Sequence, residues 1–174
     1  GIDSVQFLLV DANGCADSLV QTINVDTLPN VTLGNFNDVC RNGFPLNLNT
    51  GTPIGGTYFY NGSPVTSSLS PNTLGAGSHK IIYRFTDLNS CTSLDSNNIT
   101  VNLSPPITLS SLPKICTDGS AITLNQGNPQ GGIYSAAQGM LNDSVFDPTI
   151  VLAGSYNIQY SYTDTNGCDS SLTG

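Results

Sequence analysis

The chain has 174 residues, a formal net charge of −8 and a pI near 4.1; all 12 acidic residues are Asp, against four Lys and Arg and one His. That balance argues against binding nucleic acid or inserting into an anionic membrane by electrostatic attraction. No apolar run, Phe7-Leu8-Leu9-Val10 being among the longest, approaches the length of a membrane span.

In chain order, the first predicted strand carries Val5, Phe7 and Leu9 on one side and ends at the turn Asp11-Ala12-Asn13-Gly14-Cys15. Asn-Gly tolerates the positive φ of a tight hairpin, so a return strand is expected over residues 19–25. After Pro29 come short strands over residues 31–33, 45–48 and 56–60, then one near Pro64-Val65 and one over residues 69–74, separated by Gly, Pro and Asn clusters. Ile81, Tyr83 and Phe85 then alternate with Lys80 and Arg84 up to Asp87-Leu88-Asn89-Ser90-Cys91, and residues 98–103 return. A third pass repeats the plan, with Tyr156, Ile158, Tyr160 and Tyr162 leading to Asp164-Thr165-Asn166-Gly167-Cys168. Period-two alternation of this kind marks half-buried strands.

The passes are copies of one unit. Cys15, Cys91 and Cys168 lie 76 and 77 residues apart, and Cys40 and Cys116 lie 76 apart. Pro53-Ile54-Gly55-Gly56-Thr57-Tyr58 returns as Pro129-Gln130-Gly131-Gly132-Ile133-Tyr134. Residues 1–28 read as the C-terminal strands of a truncated repeat, 29–104 as a complete repeat, and 105–174 as a repeat lacking its last strand. This predicts an excerpt of a longer protein. About seven short strands per unit, with no helical period, predict an all-β fold of tandem antiparallel immunoglobulin-like β-sandwiches, about 76 residues per repeat. Pro29 and Pro105-Pro106 at the joints predict short, stiff linkers and a semi-rigid rod.

A sandwich this small often needs a staple. The first expectation pairs Cys40 with Cys91 and Cys116 with Cys168 inside each repeat, leaving Cys15 without a partner. Such a bond would close a loop of roughly 50 residues and stabilise each unit by about 4 kcal/mol. An immunoglobulin-like strand path, however, would put Cys40 and Cys91 at opposite ends of the sandwich. A bridge between neighbouring repeats, such as Cys40 to Cys168, satisfies that path and is the alternative. Cys pairs in small modules suit an oxidising compartment, so the expected location is extracellular.

Candidate chemistry is sparse. The sequence has no Glu, no nucleophile elbow and one His, His79, read as a surface residue; no enzymatic activity is expected. The glycines of residues 51–56 lack the Lys and helix of a phosphate loop. Asp11, Asn13, Asp87, Asn89, Asp164 and Asn166 offer hard oxygens that could ligate calcium, although hairpin chemistry alone accounts for Asp and Asn at these turns. No other cofactor is expected. Tyr58 and its counterpart Tyr134 read as core, leaving Phe59 or Tyr60 as sugar-stacking candidates.

The run Cys40, Leu46, Leu48, Pro53, Gly55, Gly56, Tyr58, Ile81, Tyr83, Thr86, Asp87, Asn89, Cys91 recurs as Cys116, Pro129, Gly131, Gly132, Tyr134, Ile158, Tyr160, Thr163, Asp164, Asn166, Cys168. It resembles the tandem immunoglobulin-like or PKD-like repeats of large Bacteroidota surface proteins, gliding-motility adhesins among them. The resemblance implies secretion, display on the cell surface as a filament, and O-glycosylation at Asp-Ser/Thr-apolar sites, here Ser4, Ser18, Thr27 and Ser144. It makes neighbouring repeats the first partners, with surface polysaccharide or other cells beyond them. The competing expectations are a carbohydrate- or calcium-binding module, and a self-assembling fibre subunit in which residues 1–28 complete a neighbour's third repeat.

Overall fold

A computed structural model describes residues 1–174. The chain is nearly all β, 46% strand and 4% helix, in several antiparallel sheets. The first hairpin joins β1 (Ile2–Val10) to β2 (Ala16–Asn24) in unbroken register from Ile2 opposite Asn24 to Val10 opposite Ala16.

The second pass contains β3 (Thr32–Leu33), β4 (Val39–Cys40), β5 (Leu46–Asn47), β6 (Gly51–Thr52), β7 (Thr57–Tyr60), β8 (Ser63–Val65), β9 (Ser68–Leu69), one helical turn α1 (Pro71–Leu74), β10 (Gly77–Thr86) and β11 (Thr92–Asn102). Residues 71–74, expected as strand, are that turn instead, with Pro71 at its first position. Proline's fixed φ and missing N–H suit a helix start and disrupt a ladder. The strand order is β4-β11-β10-β7-β8, with β3 paired to β6 and β5 to β9. β4 joins β11 in parallel, Val39 opposite Val101 and Cys40 opposite Asn102.

The third pass contains β12 (Thr108–Leu109), β13 (Ile122–Thr123), β14 (Gly127–Asn128), β15 (Ile133–Ser135), β16 (Met140–Asn142), β17 (Val145–Phe146), β18 (Gln159–Thr163) and β19 (Asp169–Thr173). Its pairings repeat those of the second: β12 with β14 as β3 with β6, and β13 with β17 as β5 with β9. Tyr134 faces Tyr160 across β15 and β18 as Tyr58 faces Tyr83 across β7 and β10. The last strand, β19, pairs with β18 from Asp169 opposite Thr163 to Thr173 opposite Gln159.

The chain divides into two compact units, each drawing on several separate stretches of sequence. One gathers Gly1–Phe36, Asn47–Ser67 and Lys80–Asn98, with Leu33, Leu48, Ile81 and Tyr83 buried. The other gathers Asn37–Leu46, Ser68–His79 and Ile99–Gly174 and holds a core of Leu124, Tyr134, Phe146, Ile158 and Tyr160.

The Pro-x-Gly-Gly-x-Tyr motif is a tyrosine lock. Tyr58 and Tyr83 pack with ring centroids 4.7 Å apart and planes tilted by 47°; Tyr134 and Tyr160 repeat this at 4.8 Å and 47°. The Tyr83 hydroxyl accepts from Gly56 N–H at 2.7 Å and donates to the Pro53 carbonyl at 2.5 Å. The Tyr58 hydroxyl accepts from Gly51 N–H at 2.8 Å. In the next pass Tyr160 accepts from Gly132 N–H and donates to Pro129 O, while Tyr134 accepts from Gly127 N–H. Glycine is required by close approach: a Cβ on Gly51 or Gly56 would lie 2.6 or 2.5 Å from the Tyr83 ring.

Candidate functional site

The cysteines settle into one bond, Cys40 to Cys168, with Cα atoms 5.5 Å apart, and three free thiols at Cys15, Cys91 and Cys116. The preferred pairs Cys40–Cys91 and Cys116–Cys168 are therefore corrected. Strand length gives the physical reason. Cys40 lies opposite Asn102 at the far end of β11, whereas Cys91 immediately precedes that strand. Eleven residues at about 3.3 Å each separate the two cysteines by roughly 36 Å along the sheet, and a disulfide needs Cα atoms within about 7 Å. The next Asp-x-Asn-x-Cys turn reaches Cys40 instead. The Asn42 side chain reinforces the junction by donating to the Asp169 carbonyl at 3.0 Å. The bond ties residues from two consecutive repeats of the sequence.

The three Asp-x-Asn turns are built alike. In each, one Asp carboxylate oxygen accepts from the N–H two residues on and from the cysteine N–H four residues on. Asp11 does so at 2.9 and 2.8 Å, and Asp87 and Asp164 at 2.9 Å for both bonds. The Asp N–H donates to the same cysteine's carbonyl, closing the loop at Cys15, Cys91 and Cys168. Asp is thus fixed by turn closure, with one oxygen of each carboxylate turned inward to backbone donors. Asn13, Asn89 and Asn166 occupy the turn tips and expose their side chains. No group of three or more His, Cys, Asp or Glu gathers where a metal ion could be held.

Cys91 is half-buried, and burial, followed by the charges of Asp87 and Asp26, pushes its thiol pKa up. A thiol held protonated is a poor nucleophile. Phe59 is covered by the Arg84 guanidinium, whose central carbon lies 4.3 Å from the ring centroid. Tyr60 is half-buried, and His79 lies 2.9 Å from the Gly75 carbonyl through Nε2. Ser4, Ser18 and Thr27 are exposed, and Ser144 is half-buried beside the Asn142 side chain, which accepts its hydroxyl at 3.2 Å.

The hairpin β1–β2 leaves its apolar side chains open. By register, Val5, Phe7, Leu9, Leu19 and Ile23 share one face, all more than half exposed. Ile81, Tyr83 and Ile99, which occupy the same places 76 residues later as Val5, Phe7 and Ile23, are buried. Sequence reasoning missed a cavity of about 410 Å³ in the third pass, walled by Ile115, Leu124, Phe146, Tyr156 and Ile158. Comparison with protein-family models and with curated proteins finds no match for this chain. No helix is long and apolar enough to cross a membrane.

Proposed function

We propose that the chain is a structural rod segment of a secreted, repetitive cell-surface adhesin or filament, built from immunoglobulin-like β-sandwiches of about 76 residues and carrying no catalytic site. The observation that carries this reading is the Cys40–Cys168 bond, which links one repeat's β4 region to the following repeat's last turn. Both cysteines belong to the same compact unit, so the bond closes that unit covalently and carries tension past the stretch of sequence between them. The other recurring residues support the same reading: tyrosines, glycines and turn aspartates all serve packing or turn closure. The disulfide fits an oxidising, extracellular setting, and the net charge of −8 keeps neighbouring rods apart. The resemblance to Bacteroidota surface repeats agrees with display at the cell surface, with Ser4, Ser18, Thr27 and Ser144 as glycan acceptors.

Single-molecule stretching tests this directly. The bond hides a loop of 128 residues, about 450 Å of extended chain. Traces recorded in reductant should gain that length over traces recorded without it. Identical contour lengths in the two conditions would show that the tie bears no load and would remove the main support for a rod.

A further inference from the structure

The outer face of the sheet in the second pass differs from its copies. Across β7 and β10, Phe59 lies opposite Ile82 and Thr57 opposite Arg84, and Pro64 of β8 lies opposite Phe59. The Thr86 and Thr92 hydroxyls meet at 2.8 Å, so the even-numbered residues of β10 and β11 share this face, Leu94 and Ser96 among them. Ile81 and Tyr83 point the other way and are buried. Lys80 and Arg84, both exposed, stand four residues apart on β10, about 13 Å along the strand. They are two of the four basic residues in a chain with 12 Asp, and no Asp occupies an outward position on β7, β8, β10 or β11. Neither cation has a carboxylate partner. The Arg84 guanidinium lies 4.3 Å from the Phe59 ring centroid, a contact that orders the side chain while no protein acceptor takes its N–H groups. At the places of Lys80, Ile82 and Arg84 the other passes carry Ser4, Gln6 and Leu8, and Asn157, Gln159 and Ser161, with Ser135 in place of Phe59. The repeat therefore closes without a cation or an aromatic ring on this face.

We propose that this face binds an acidic polysaccharide, a chain of sugars bearing spaced carboxylates, laid along β10. One carboxylate takes the Arg84 fork through two parallel N–H bonds, for which the contact with Phe59 holds the guanidinium ready. A second pairs with Lys80. Between the two cations Ile82 and Phe59, with Pro64 beside them, offer apolar surface to the C–H faces of the sugar rings, and Ser96 offers a hydroxyl to theirs. Two positive charges on a face free of Asp attract an anion locally although the chain as a whole carries −8. Their separation suits a sparsely charged chain, whereas duplex DNA carries a charge every ~1.7 Å. An acidic peptide is the weaker match. Extended peptides gain affinity by adding to a sheet edge, and β10 has β11 on one side and β7 on the other, so its backbone is already paired. The inference is independent of the rod reading, since it uses neither the disulfide nor the recurring motifs.

Isothermal titration calorimetry of the intact chain with a hyaluronan oligosaccharide, in which every second sugar bears a carboxylate, tests the proposal. The expected result is saturable binding that weakens as salt rises. Arg84→Gln and Lys80→Gln should each lower the affinity about tenfold. Arg84→Lys should recover part of that loss, because it restores the charge without the fork. Ser161→Ala, at the matching place in the third pass, should leave the affinity unchanged. Both cations are exposed, so the variants keep the parent's Tm, which thermal melts check. The methyl ester of the same oligosaccharide, which lacks the charge, should bind at least about tenfold more weakly. No binding of hyaluronan overturns the proposal, as does an affinity unchanged in either Gln variant or an ester that binds as tightly as the acid. A poly-aspartate peptide that binds as tightly as hyaluronan overturns the glycan as occupant, because charge alone then suffices. Any of these failures leaves the stretching result for the disulfide standing.

Discussion

Replacing Tyr83 by Phe removes one oxygen from the tyrosine lock and leaves its packing intact. The ring is 2% exposed and keeps its tilted contact with Tyr58. The lost hydroxyl served two partners, accepting from Gly56 N–H and donating to Pro53 O. A neutral hydrogen bond contributes about 1 kcal/mol net, and a buried partner left unsatisfied adds to the loss. The cost expected for Tyr83→Phe is therefore about 2 kcal/mol, or about 4–8 °C in Tm for a chain of this size. Tyr83→Ala also empties the site of a ring and should cost about 3–5 kcal/mol. Tyr160→Phe should match Tyr83→Phe closely, because Tyr160 repeats both contacts with Gly132 and Pro129. Urea unfolding followed by circular dichroism, with Tm as a second readout, measures all three. A Tyr83→Phe variant as stable as the parent, or no worse loss on going to Ala, would refute the lock as the reason for the motif.

Three further outcomes follow from the junction and the turns. Cys40→Ser opens a loop of 128 residues and should cost about 5 kcal/mol in the chain-entropy account, read as a lower urea midpoint that reductant does not lower further; Cys91→Ser should leave the midpoint close to that of the parent. Asp87→Ala strands the N–H groups of Asn89 and Cys91 and should cost about 1–2 kcal/mol, whereas Asp87→Asn keeps an acceptor oxygen there and should cost less in the same assay. The Thr149 hydroxyl, then its N–H, hold the Asp147 carboxyl below the usual carboxylate range. A depressed folded-state pKa gives stability that is present above the unfolded-state value and lost as pH falls through the folded one. Thr149→Val should therefore lower Tm at neutral pH, and its Tm curve should converge on the parent's in strong acid.

The recurring motifs marked several of the turns and strand pairs. Residues recurring every 76 positions announced where strands begin and turn, and the pairings of β3 with β6 and β12 with β14 follow that text. The Asp-x-Asn turns were legible because local hydrogen bonding alone determines them: the acceptor and both donors lie within five residues. The helical turn at residues 71–74 was missed because one turn is too short to show a period. The signal available was Ser70-Pro71, a start pair for a helix.

Cysteine pairing was decided by a length that the period does not encode. Both pairing schemes repeat every 76 residues, so periodicity cannot choose between them. The choice turns on β11 running unbroken for 11 residues, which carries Asn102 and its neighbour Cys40 far from Cys91. Shortening that strand by a bulge would not rescue the intra-repeat bond, because each bulge removes only about one residue of rise. The strand that buries Ile99 and Val101 does so through its final residues. Lock and turn are local, whereas the disulfide joins residues 128 apart in sequence, so cysteine pairing depends on where strands end rather than on the motifs that recur most visibly.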